Sequence, residues 1–336
     1  MTDASATKYW FAASAEEYPP SQMLELAQAA EEAGFDGLGV SDHFAPWFPD
    51  GQASQAWVYL GAVGQVTTKP IGTGVTPVLH HYHPGLIAQA FMSLEEMYPG
   101  RVWLGVGSGE ALNEVPLGLV DWPSPAEKLG RFESGLEAID RLWSGETVTM
   151  DAGWFRLEQA KLYTLAAGRP KLYVSAFGPQ AARIAGRFGD GLWTLGDPES
   201  APEVIEAYRA SCAENDKPVG EIILQSGMAW HEDGRAALEG ARRWKPTQMD
   251  EVYLEDIHDP AEMQRLAEEQ VSDEQFANEG FLVGSDLDGP IESLREMEGL
   301  GATIICLQLI GQADPLGTIR TFGEKVLPEL RGSRVG

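Results

Sequence analysis

The sequence predicts an α/β protein, a (β/α)8 TIM barrel with insertions at the C-terminal face. Three observations predict it. Short segments that are apolar on both faces recur about eight times, the mark of parallel strands covered by helices. Each is followed by a stretch with helical periodicity. The 336 residues accommodate about eight such units in one domain spanning 1–336, since barrels of this kind run to ~250 residues and beyond. An open, doubly wound sheet is the other arrangement of the same units.

Residues 9–13 (YWFAA) read as the first strand. Pro19-Pro20-Ser21 opens a helix through Ala33, which Gly34 closes. FDGLGV (35–40), IGTGV (71–75) and VWLGVG (102–107) are strands two to four, with helices near 53–66 and over 84–98 between them. A helix near 126–143 leads to residues 147–163, whose alternation around Asp151-Ala152-Gly153 predicts a hairpin insertion. KLYVSAF (171–177), GLWTL (191–195), EIILQSGMAW (221–230) and TIICLQLI (303–310) complete the eight, and a final helix ends near Leu330. FLVG (281–284) leads into a helix through 299. The acidic stretch 245–280 has no strand pattern and is expected as a lid-like insertion over the barrel mouth.

Lys and Arg total 24 against 51 Asp and Glu, a net charge of -27. A nucleic-acid binder needs a basic footprint, and an anionic membrane would repel this chain, so neither partner is expected. So acidic a surface suits high salt, where counterions screen self-repulsion; an ordinary acidic cytoplasmic protein is the other reading. No run of ~18 apolar residues is present, so no membrane span is expected. Met1 to Lys8 lacks the pattern of a secretory signal, and the expected location is the cytoplasm. Two cysteines, Cys212 and Cys306, exclude a disulfide framework.

Active sites of TIM barrels lie where strands end. After strand two come Asp42 and His43, a carboxylate next to an imidazole able to act as a base near neutral pH. A capping role for Asp42 in the loop is equally consistent with the dipeptide alone. Trp47 follows in a proline-bounded loop. Gly105-Val106-Gly107-Ser108-Gly109 is a poor dinucleotide fingerprint, its third glycine one position early, and is read instead as letting a flat ring approach the backbone. His80, His81 and His83 are read as a polar loop, with no metal expected.

Three motifs together carry a resemblance. Ser41-Asp42-His43-Phe44-Ala45-Pro46-Trp47, Gly105 to Glu114 (GVGSGEALNE), and Ala185 to Gly191 (AGRFGDG) resemble the coenzyme F420-dependent glucose-6-phosphate dehydrogenase family, among the luciferase-like oxidoreductases. The similarity runs from about Tyr9 to about Leu330. It implies the barrel, a bound 5-deazaflavin (coenzyme F420), an oxidoreductase acting on a hydroxyl group, and commonly a homodimer. Carried onto these positions, Asp42 and Asn113 would bind the cofactor. His43 would take the proton of the substrate hydroxyl, and Trp47 would wall the pocket. Glu110 would serve a proton on the reduced cofactor. Gly74-Val75 match a bulge where such proteins hold a cis peptide behind the ring. Phe177-Gly178 match a glycine pair that approaches the cofactor, with Phe177 a departure. Glu16, and with it His258, would face the substrate.

The phosphate site departs from the family. Thr194 to Glu199 (TLGDPE), Tyr253 to His258 (YLEDIH) and Asn278 to Phe281 (NEGF) carry acids where relatives carry lysine or arginine. A phosphate dianion needs charged, ideally bidentate donors. A neutral alcohol or unphosphorylated sugar is therefore the expected substrate, unless Arg242, Arg243 or Lys245 fold back and restore a cation. An FMN-dependent luciferase-like monooxygenase and a barrel that only binds the cofactor are the rival readings.

Overall fold

The computed structural model describes residues 6–278, 281–311 and 314–332. Its barrel strands are β1 (Lys8–Ala13), β2 (Gly37–Val40), β3 (Ile71–Thr73), β4 (Val102–Gly107), β5 (Lys171–Ser175), β6 (Gly191–Leu195), β7 (Glu221–Trp230) and β8 (Ile304–Leu309). Each pairs in parallel with the next, and β8 returns to β1 with Tyr9 opposite Ile305, so the sheet closes. β2, β4 and β8 are buried at every position, as strands covered on both faces must be.

Indoles fill the barrel interior. Trp10 and Trp103 stack at 4.0 Å, within a layer that includes Tyr173, Trp193, Ile223 and Cys306. The neighbouring strands make room for them with glycine. A Cβ on Gly37 would stand 2.6 Å from the Trp10 ring, and one on Gly72 2.4 Å from that of Trp103.

The structure differs from the sequence reading in several places. IGTGV is not one continuous strand: it stops at Thr73, the Gly74–Val75 peptide is cis, and Thr76–Pro77 then pairs with Val106–Gly107. KLYVSAF stops at Ser175. FLVG is a strand and not merely an approach to a helix. β6 accompanies β7 only to Gln225, and Phe281–Gly284 takes the vacated edge opposite Gly227–Trp230, where unpaired backbone groups would otherwise remain. The hairpin forms as expected, Val148–Asp151 against Arg156–Ala160.

The acidic insertion is helical, with Arg242–Gln248, Glu251–Leu254, Pro260–Gln270 and Asp273–Asn278. Trp244, Met249, Val252, Met263 and Phe276 give it a small core, shared with Trp47, Phe48 and Leu112 of the loops after β2 and β4. Glu17, after β1, holds it in place: one carboxylate oxygen accepts from Trp244 Nε1 at 2.6 Å and from the Gly311 backbone at 2.7 Å. Among the described residues no helix is long and apolar enough to cross a membrane.

Candidate active site

His43 stands between two carboxylates from different loops. Its Nε2 is 3.6 Å from Glu16 Oε1 and its Nδ1 3.8 Å from Glu110 Oε2. Nδ1 is buried and has no hydrogen-bond partner. Glu16 is 1% exposed. Its Oε2 accepts from Ser14 Oγ (2.9 Å) and Ser41 Oγ (2.6 Å), which leaves Oε1 turned to the imidazole. Burial pushes the Glu110 carboxyl above the usual range, against the pull of His43 and Lys128.

Asp42 is also buried, and its ligands come from three elements. Oδ2 accepts from Thr76 Oγ1 (2.7 Å) and Trp57 Nε1 (3.0 Å), and Oδ1 from Tyr82 OH (3.1 Å). Burial raises its pKa to about 6; these three bonds and His43 oppose the shift. Asn113 braces the same loop: Oδ1 accepts from the Phe44 backbone at 2.8 Å, and Nδ2 reaches Glu110 Oε2 at 3.4 Å.

An aromatic wall adjoins the base. Trp47 lies 5.5 Å from His43 and 5.6 Å from Tyr253, and Phe177 lies 6.0 Å from Tyr253. Tyr253 comes from the insertion, and Lys128 Nζ holds its carbonyl at 2.8 Å. Trp122 Nε1 holds the next carbonyl, Leu254, at 3.0 Å. Phe44 and Phe177 are about half exposed, and a Cβ on Gly178 would meet nothing within 4 Å. The Val75 side chain backs β4, 2.9 Å from where a Gly107 Cβ would be.

The structure therefore brings together Glu16, Asp42, His43, Trp47, Glu110 and Asn113, with Val75 against β4 and Phe177 in the aromatic wall. The His258 ring pairs with Asp256 at 2.9 Å. The loop histidines each have their own partner. His80 Nε2 meets Leu117 O, His83 Nε2 meets Arg156 O, and the His81 ring stacks on Tyr82. The sequence reading gave no role to Thr76, Trp57, Tyr82, Glu114 or Tyr253. Glu114 ends the GVGSGEALNE motif, and Thr76 and Tyr82 follow strand three, but no motif announces Trp57 or a role for Tyr253.

The cations considered for a rebuilt phosphate site are each paired with carboxylates. Arg242 pairs with Glu239 and Asp273, Arg243 with Asp50, and Lys245 with Asp273 and Glu268. Glu279, one of the acids in question, lies outside the described residues.

Barrel and site together define a class: the luciferase-like monooxygenase family model matches residues 6–303. The chain is 38% identical over 333 residues to the F420-dependent glucose-6-phosphate dehydrogenase of Nakamurella multipartita, covering 96% of each. It is 34% identical to that of Mycobacterium avium, covering 96% of this chain and 98% of the relative. It superposes on an F420-dependent secondary alcohol dehydrogenase, solved with an F420-acetone adduct, with a TM-score of 0.91 at 32% identity, covering 97% and 99%. A coenzyme F420-dependent tetrahydromethanopterin reductase from Methanopyrus kandleri shares the fold, with a TM-score of 0.77 at 16% identity and coverage of 97% and 100%. The chain belongs to the luciferase-like family and, within it, to the F420-dependent dehydrogenases.

Proposed function

We propose that this protein uses coenzyme F420 to oxidise the hydroxyl of a neutral alcohol or unphosphorylated sugar. The observation that carries the reading is the His43 imidazole held between Glu16 and Glu110 beside an aromatic wall. The residues suit a planar ring with polar edges: uncovered apolar surface at Phe44 and Phe177, and open space at Gly178, adjoin the buried polar cluster. Asp42, Gly74, Val75, Asn113, Phe177 and Gly178 would hold the cofactor, which when bound accepts hydride from the substrate carbon.

The rest is done by the chain's own side chains. His43 receives the hydroxyl proton at Nε2. The imidazolium so formed has Glu16 Oε1 3.6 Å from Nε2 and Glu110 Oε2 3.8 Å from Nδ1. Glu110, held up by burial, retains a proton at higher pH than an ordinary carboxyl and would have it available for the reduced cofactor ring. Trp47 and Tyr253 exclude water beside the base.

The substrate follows from charge. Asp197, Glu199, Glu255 and Asp256 stand in the loops that would face a phosphate, and Arg242, Arg243 and Lys245 are paired to carboxylates. Glucose 6-phosphate is the second reading, favoured by the names of the relatives. Steady-state turnover with F420 on 2-propanol, glucose and glucose 6-phosphate tests it. Higher kcat/KM for a neutral substrate is expected; a preference for the sugar phosphate would overturn the reading.

A further inference from the structure

We propose that Glu114 is a positioning residue, whose carboxyl fastens the loop after β3 so that Tyr82 stays hydrogen-bonded to Asp42 beside the base. The inference rests on Asp42 and His43 being the functional centre.

Glu114 is fully buried on the turn after β4. Its Oε2 accepts from the backbone N–H of His80 (2.8 Å) and of His81. Anchoring these two residues sets the third. The His81 ring stacks on Tyr82 at 3.9 Å, Tyr82 lies 4.1 Å from the Trp57 ring, and Tyr82 OH donates to Asp42 Oδ1 at 3.1 Å. Trp57 Nε1 donates to the other oxygen. One donor to Asp42 thus sits on the anchored loop, and a second leans on it.

The place for Glu114 is built. Gly109 has φ +84°, and a Cβ there would stand 2.9 Å from Glu114 Oε1, so glycine serves twice at that position. Oε1 is buried with no hydrogen-bond partner, an arrangement that proteins seldom keep. Around Glu114 stand the N–H groups of His80 and His81, Glu110 and Lys128. Around Asp42 stand Thr76, Tyr82, Trp57 and His43.

The consequence is electrostatic. A hydrogen bond to the charged form of a carboxyl lowers its pKa, so losing Tyr82 should raise that of Asp42 by roughly one unit. Carboxyl 13C NMR on aspartate-labelled protein, free of cofactor and substrate, reads this midpoint, with Asp42→Asn assigning the signal. Glu114→Ala and Tyr82→Phe should both raise it by about one unit. Glu114→Gln, whose amide oxygen accepts the same two N–H groups, should hold it within a few tenths. If Glu114→Ala does not fold, Glu114→Asp replaces it with the same expected rise, its carboxylate withdrawn by one methylene. An unmoved midpoint in the Ala or Asp variant, or a shift that Gln fails to reverse, overturns the proposal. The titration needs no substrate, so inactivity on every alcohol would count against the dehydrogenase reading and leave this one standing.

Discussion

His43 Nε2 and Glu16 Oε1 stand 3.6 Å apart, joining the loop after β2 to the loop after β1. Ser14 and Ser41 occupy the second oxygen of Glu16, so the carboxylate cannot rotate away from the ring without losing both hydroxyls. The charge beside the base is therefore preorganised.

Replacing Glu16 by Gln removes that charge with little change of shape. Turnover should fall at least about tenfold, since a unit charge at this distance is worth well over 1.4 kcal/mol at intermediate dielectric. Steady-state kinetics on the best neutral alcohol checks it.

His43→Ala should cut kcat by on the order of 100- to 10,000-fold, the range of a lost general base. Cofactor affinity, followed by titrating F420 fluorescence, should be nearly unchanged. Activity within a few-fold of wild type would remove His43 from the role.

Tyr253→Ala should open the wall that Tyr253 forms with Trp47 and Phe177. Bulky secondary alcohols should gain on 2-propanol in kcat/KM. The protein should lose on the order of 2–4 kcal/mol of stability, as for other large-to-small changes at packed rings. A substrate panel and denaturant melts measure the two effects.

Burial holds Asp42 at about 6, against an ordinary 3.8, and Glu114 at about 7, against 4.5. Between those values the folded state binds more protons than the unfolded one. The stability that each contributes is complete below the unfolded pKa and is lost as pH rises through the folded one. Asp42→Asn should therefore gain on wild type as pH climbs from about 4 to about 7, by on the order of 2–3 kcal/mol. Melting both proteins across that range gives the difference; a constant difference would contradict it.

Melting temperature should rise between low and molar KCl, because a net charge of -27 repels itself until salt screens it. A flat response would remove the high-salt reading of the surface.

The sequence by itself determined the barrel and the places where chemistry gathers. Strands covered on both faces must be apolar at every position, so β4 and β8 were legible as runs, and the motifs at strand ends named Asp42, His43, Glu110 and Asn113. Other features depend on closure. Asp42 is gripped by Trp57, Thr76 and Tyr82, and Tyr253 reaches Trp47 across some 200 residues of chain. Nothing local distinguishes those side chains from ordinary helix, strand and loop residues. The strand at Phe281–Gly284 was missed for a similar reason: it exists because β6 leaves an edge of β7 open after Gln225. Local pattern records what each segment must bury; which side chains meet is decided only when the eighth strand returns to the first.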